Sequence, residues 1–151
     1  CLADNLDLIV EAKKGIKAPV VTGETLYSKE DFVPLFEKHA AEIINPDICV
    51  SGIIGMREIA AMAEPHSVLV SPHNFNSNVV GLVAMIHLSA AIPNFLIHEQ
   101  HSYGIKQGLR DTCVYDYLPD DHGELTVPEL PGIGQEITEE TMAKTWVYTV
   151  Q

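Results

Sequence analysis

Four residues able to handle protons or bind a cation recur along this chain at nearly even intervals. They are Glu24, Asp47, His73 and Glu99, spaced 23, 26 and 26 residues apart. Carboxylates and imidazole are the side chains that carry general acid–base chemistry, and carboxylates are the ligands hard divalent cations prefer. Each of the four also admits an ordinary reading when taken alone. Glu24 follows a glycine and fits a loop carboxylate. Asp47 follows Asn45-Pro46 and fits a turn. His73 lies in a Pro-His-Asn run and fits a structural imidazole, and Glu99 fits a solvated surface acid. The common spacing lifts the set above its members, because it is close to the length of one strand-plus-helix repeat.

The elements that must position these residues follow the same rhythm. Residues 4–14 carry Leu6, Ile9 and Val10 on one face with Gly15 just beyond, the pattern of a helix. Residues 19–22 read as a short buried strand that Gly23-Glu24 ends. Ser28, with Asp31 three positions on, reads as a helix N-cap, and Phe32, Leu35 and Phe36 repeat at helical spacing to about residue 40. Ile43-Ile44 begins a second strand that runs into Asn45-Pro46-Asp47. Gly52 and Gly55 then precede an expected helix over 56–64. A third strand over 68–70 runs into Ser71-Pro72-His73, and a longer helix spans 79–91 before Pro93. A fourth strand over 95–97 ends near Glu99.

These strands show little polar alternation, and each is followed by a helix. That combination indicates a parallel sheet covered by helices. A (β/α)8 barrel gathers its chemistry at the C-terminal ends of its strands, and such a barrel would set all four residues on one rim. An open doubly wound sheet would instead collect ligands at a single switch point. Residues 101–135 are loop-rich, with turns at 119–123 and 131–134, and a last short helix is expected after Thr138, with Glu139 and Glu140 in its first turn. The fold expected is therefore α/β: half of a (β/α)8 barrel, about four βα units plus a C-terminal tail, in one domain over 1–151.

Bulk properties narrow the function. The formal charge is −12, which disfavours nucleic acid, whose phosphates demand Lys and Arg. No apolar run is long enough to span a bilayer, so no membrane partner is expected. Three cysteines, Cys1, Cys49 and Cys113, without a CxxC motif fit a reduced, cytoplasmic setting. The remaining histidines, including His98 and His101, lack zinc-site spacing. The chain starts with Cys1 rather than Met, which suggests a piece of a longer or processed protein.

In order, the runs Val21-Thr22-Gly23-Glu24, Ile44-Asn45-Pro46-Asp47 with Gly52, Gly55 and Met56, Ser71-Pro72-His73, Leu96-Ile97-His98-Glu99 and Pro131-Gly132-Ile133-Gly134 resemble the second half of a mandelate-racemase-type member of the enolase superfamily. The nearest likeness is to its sugar-acid dehydratases. The resemblance covers nearly the whole chain, and its specificity lies in order and spacing rather than in any one motif. It implies a capping domain and first barrel strands lying outside this chain, and a Mg2+ ion held by three carboxylates, of which Glu24 matches the third. It implies that Asp47 and His73 form a dyad in which His73 is the general acid or base, and that Glu99 faces the enolate side of the substrate. An ionised Glu99 would repel an enediolate, so that role requires its protonated form or an intervening donor. Asn74, Asn76, Ser77 and Tyr27 offer polar groups near the rim for a hydroxylated substrate.

The implied chemistry removes a proton alpha to a carboxylate and expels the beta-hydroxyl of a sugar acid. A racemase or epimerase is the alternative within the family. A half-barrel that self-associates without catalysis is the alternative outside it. Glu24 alone is too few ligands for Mg2+, which surrenders its waters reluctantly. The isolated chain is therefore expected to be inactive and to form a homo-oligomer.

Overall fold

The computed structural model describes residues 5–75, 77–100 and 107–146, and within them the chain is α/β. Helix α1 (Leu6–Lys13) is followed by β1 (Val21–Thr22), α2 (Lys29–Glu37), β2 (Ile43–Ile44), α3 (Ile48–Ala63), β3 (Leu69–Val70) and α4 (Val79–Ala91). Two short helices, α5 (Gln107–Arg110) and α6 (Glu139–Ala143), lie in the tail. The strands form one parallel sheet in the order β1-β2-β3, with Val21 opposite Ile43 and Ile43 opposite Leu69.

Local chemistry explains where the elements begin. Asn5 caps α1 by accepting from the Leu8 amide. Ser28 and Asp31 form a reciprocal capping box at α2, in which the Asp31 carboxylate accepts from the Ser28 and Tyr27 amides. Those bonds lower the Asp31 pKa. Thr138 caps α6 through its hydroxyl.

Two elements differ from the sequence reading. Helix α3 starts at Ile48 rather than after the glycines, because the Asp47 side chain caps it on the Cys49 amide at 2.7 Å. Gly52, at φ 69° and ψ 168°, then breaks the helix from inside, a conformation open to glycine at low cost. The fourth strand, expected over 95–97, is reduced to a parallel bridge between Val70 and Phe95. The Val70 amide donates to the Asn94 carbonyl and the Leu96 amide to the Val70 carbonyl, both at 2.9 Å. A regular ladder would next bring the His98 amide to the Pro72 carbonyl. The Glu99 amide donates there instead, at 3.4 Å, so one extra residue is taken up as in a β-bulge.

The two faces of the sheet are unequal. Ile44 and Val70 are fully buried beneath the helices, in a core with Phe32, Leu35, Phe36, Met56 and Ile59. The alternate row is open: Val21 is 51% and Leu69 39% exposed. Burial on both faces, which the apolar strands predict, is thus met on the helix side only within this chain. A second apolar cluster joins Val79, Leu82, Val83 and Ile86 of α4 to Cys113, Tyr117 and Leu125 of the tail.

Candidate active site

The four evenly spaced residues meet at one end of the sheet. Glu24 stands just beyond β1, after Gly23, whose φ of 127° suits only glycine. A Cβ on Gly23 would also come within 2.8 Å of the Phe32 ring, so the turn that presents Glu24 is closed to larger residues. Asp47 and His73 extend β2 and β3 and face each other as a parallel bridge, with the His73 amide donating to the Pro46 carbonyl at 3.0 Å. Glu99 follows the bulge in the fourth strand.

Their side chains surround one imidazole. The His73 Nδ1 lies 2.9 Å from Asp47 Oδ2. The His73 Nε2 lies 3.3 Å from Glu24 Oε2 and 3.8 Å from Glu99 Oε2. The two Asp47 oxygens are used separately, since Oδ1 accepts from the Cys49 amide and Oδ2 meets His73. A carboxylate only accepts, so Nδ1 carries the proton and Nε2 is the nitrogen turned to the carboxylates and the rim. The His73 and Asp47 side chains are largely buried, at 18% and 14% exposure, whereas that of Glu24 is 54% exposed. Phe75 stacks beside the His73 ring, with centroids 6.5 Å apart and 16° between planes. Its position two residues after His73 carries no sequence signal of that contact.

The four residues expected to offer polar groups to the substrate, Tyr27, Asn74, Asn76 and Ser77, lie in different settings. Tyr27 is 68% exposed, and its carbonyl accepts from the Ser51 hydroxyl at 3.1 Å, which ties the loop after β1 to the start of α3. Asn74 is 2% exposed, so its side chain is interior rather than at the rim. It accepts a hydrogen bond from the Ser77 hydroxyl, while its backbone amide donates to Glu99 Oε2 at 3.0 Å. Asn76 lies outside the described residues.

Neighbouring titratable groups are held neutral. The Cys49 sulfur is tucked against Gly81; burial, then the Asp47 charge, raises its thiol pKa, which leaves it a poor nucleophile. Burial lowers His98 to about 4, with the Glu99 charge opposing. Neither His98 ring nitrogen has a hydrogen-bond partner among the described residues. His98 lines a cavity of about 480 Å3 with Ile86, Ser89, Leu96 and Leu125. None of the four clustered residues borders that cavity, so the chemistry lies at the open rim.

The donor set does not make a magnesium site by itself. Both Asp47 oxygens are engaged, one Glu99 oxygen holds the Asn74 amide, and Glu24, 54% exposed, is the most open of the three carboxylates. Among the described residues no group of three His, Cys, Asp or Glu side chains is arranged to hold a metal ion. What the arrangement offers is a largely buried imidazole oriented through Nδ1, with Nε2 beside two carboxylates, the parts of a general acid–base centre.

The sequence model of the family described as enolase C-terminal domain-like matches residues 1–141. The chain belongs to this family. Its relatives agree with the α/β barrel reading. This enolase C-terminal domain-like chain is 33% identical over 132 residues to a D-xylonate dehydratase of Haloferax volcanii, covering 87% of this chain and 31% of that protein. It is 30% identical over 135 residues to an arabinonate dehydratase of Saccharolobus solfataricus, covering 89% and 35%. A crystal structure of an enolase superfamily member from Salmonella Typhimurium superimposes with a TM-score of 0.90 at 37% identity, covering 97% of this chain and 37% of that one. The chain thus spans about a third of the length of the proteins it matches. No helix among the described residues is long and apolar enough to cross a membrane.

Proposed function

We propose that this chain is the C-terminal half of the barrel of an acid-sugar dehydratase, with the capping domain and first barrel strands lying outside it. The observation that carries the reading is the His73 imidazole, fixed through Nδ1 by Asp47 and open at Nε2 between Glu24 and Glu99. The sugar-acid dehydratases among its relatives support the substrate class.

Dehydration of a sugar acid breaks the C–H bond alpha to the carboxylate and the C–O bond at the beta carbon. The hydroxyl leaves as water only if it is protonated as it departs. His73 can serve both steps: Nε2, bare while Asp47 holds Nδ1–H, takes the alpha proton and then returns it from the imidazolium to the departing hydroxyl oxygen, which leaves as water. The enol that remains tautomerises to a 2-keto-3-deoxy acid. Glu99, held by the Asn74 amide, stands 3.8 Å from Nε2 and is the residue assigned to the enolate side of the substrate. Phe75 shields one face of the imidazole from water.

A bound Mg2+ would supply charge stabilisation to the enediolate. Glu24 would contribute one ligand, with the remaining carboxylates outside this chain. The free thiols Cys49 and Cys113 accord with a cytoplasmic setting, and the open sheet row with a homo-oligomer. The test is to assay the protein at its full length with Mg2+ against a library of acid sugars, following keto-acid release. Turnover of one or a few acid sugars supports the reading. Racemisation or epimerisation without keto acid would favour the racemase alternative, and no reaction with any member would refute both.

A further inference from the structure

Asn74 is an asparagine buried to 2% exposure, and its Nδ2 finds no acceptor among the described residues. A buried amide with an unmet donor is unfavourable, so the bonds made by its other polar atoms must hold Asn74 in place. The Asn74 backbone amide donates to Glu99 Oε2 at 3.0 Å, the one hydrogen bond given to that carboxylate among the described residues. The Asn74 side chain is in turn held by the Ser77 hydroxyl, which donates to its Oδ1.

Ser77 is itself wedged against the start of α4. Asn78 caps this helix on the Val80 and Gly81 amides at 3.0 and 3.3 Å. Gly81 is buried, and a Cβ there would come within 2.8 Å of the Ser77 Cβ and 2.7 Å of the Cys49 sulfur. Cys49 is the residue whose amide Asp47 caps. Gly81 therefore lets two arms close on one helix end. One arm runs through Cys49 to Asp47 and His73, and the other through Ser77 and Asn74 to Glu99.

We infer that Ser77 is a positioning residue, which locks the Asn74 loop so that its backbone amide holds Glu99 beside the His73 Nε2. The inference rests on the reading of Glu99 as part of the reacting site. Ser77 acts through Asn74 and lies two hydrogen bonds from the carboxylate it places, so it need not touch substrate.

Ser77→Ala removes the hydroxyl and introduces no new contact, and Glu99→Gln serves as the reference for a broken carboxylate bond. The first readout is the Asn74 amide proton in protein labelled with 15N-asparagine at full length. A bond to a carboxylate draws that resonance downfield. The expected result is an upfield move in Glu99→Gln and a move in the same direction in Ser77→Ala, with the Asn45 and Asn94 amides unmoved. An Asn74 resonance left in its wild-type place by Ser77→Ala overturns the proposal, as does one left in place by Glu99→Gln. The second readout is kinetic. With an acid sugar that the wild type dehydrates, Ser77→Ala should lower kcat roughly tenfold or more with KM little changed, the signature of a displaced reacting group. Wild-type kcat in that variant overturns the positioning role. A wild type that dehydrates no acid sugar refutes the dehydratase reading instead, and the amide resonance then decides whether the clamp exists.

Discussion

Asp47 uses its two oxygens for two purposes, and substitution separates them. Oδ1 caps α3 on the Cys49 amide at 2.7 Å, and Oδ2 meets His73 Nδ1 at 2.9 Å. Asp47→Ala loses both. Removing an N-cap costs about 1 kcal/mol, within a range of roughly 0.5–2 kcal/mol. The variant should therefore unfold at a lower urea concentration than wild type. Asp47→Asn keeps an oxygen for the Cys49 amide, so its stability should stay within about 0.5 kcal/mol of wild type, since Asn is as good a cap as Asp. It nevertheless places an amide N–H where His73 needs an acceptor. That donor favours the tautomer with Nδ1 bare, so the ring loses its orientation and its correct protonation. Both variants should lose roughly 10²-fold or more in turnover, the scale of a lost acid–base group. The assays are urea unfolding followed by circular dichroism, and keto-acid release at saturating acid sugar. Asp47→Ala as stable as wild type would refute the capping argument. Asp47→Asn with wild-type turnover would refute the pairing argument, whatever its stability.

Further expectations follow from the same geometry. His98 titrates at 6.5 when unperturbed and at about 4 when buried, so the unfolded chain binds the extra proton first. Its neutral burial is therefore fully tolerated above pH 6.5 and becomes a growing cost as pH falls towards 4, amounting to roughly 3 kcal/mol at most. His98→Phe should flatten the fall of the urea midpoint between pH 7 and 4, and an unchanged slope would place the acid sensitivity elsewhere. The open row that includes Val21 and Leu69 should make the isolated 151-residue chain associate, because wet apolar strand faces are costly at about 25 cal/mol per Å2. A sharp monomer peak by size exclusion with light scattering across micromolar concentrations would contradict this. The same chain should show no tight one-site isotherm with Mg2+ by calorimetry, since Glu24 is the one residue of the chain matched to a metal ligand, and such an isotherm would show that the ligand assignment is wrong.

Whether a feature is legible in the sequence depends on whether its signal is local. The Ser28–Asp31 capping box, the 79–91 helix and the Thr138 cap are written in adjacent residues, and the structure has them. The convergence of Glu24, Asp47, His73 and Glu99 is legible because a regular repeat carries strand ends to a common rim. The start of α3 is not, since Gly52 signals a break and the Asp47 cap five residues earlier is stronger than that break. The bulge before Glu99 and the thinning of the fourth strand to a bridge have no local signature, because they arise from pairing with Val70 and Pro72. Asn74 reads as a rim residue because asparagine is polar. Its burial is set by Ser77 and by the close approach at Gly81, which only the folded chain reveals.

The central claim is that the Asp47-oriented His73 is the acid–base residue of an acid-sugar dehydratase. The most direct measurement compares wild type with His73→Asn at full length, on an acid sugar the wild type accepts, following 2-keto-3-deoxy acid formation. The account predicts turnover lower by roughly 10²-fold or more in the variant, with the fold retained by circular dichroism. Turnover close to wild type in a folded His73→Asn protein would contradict it.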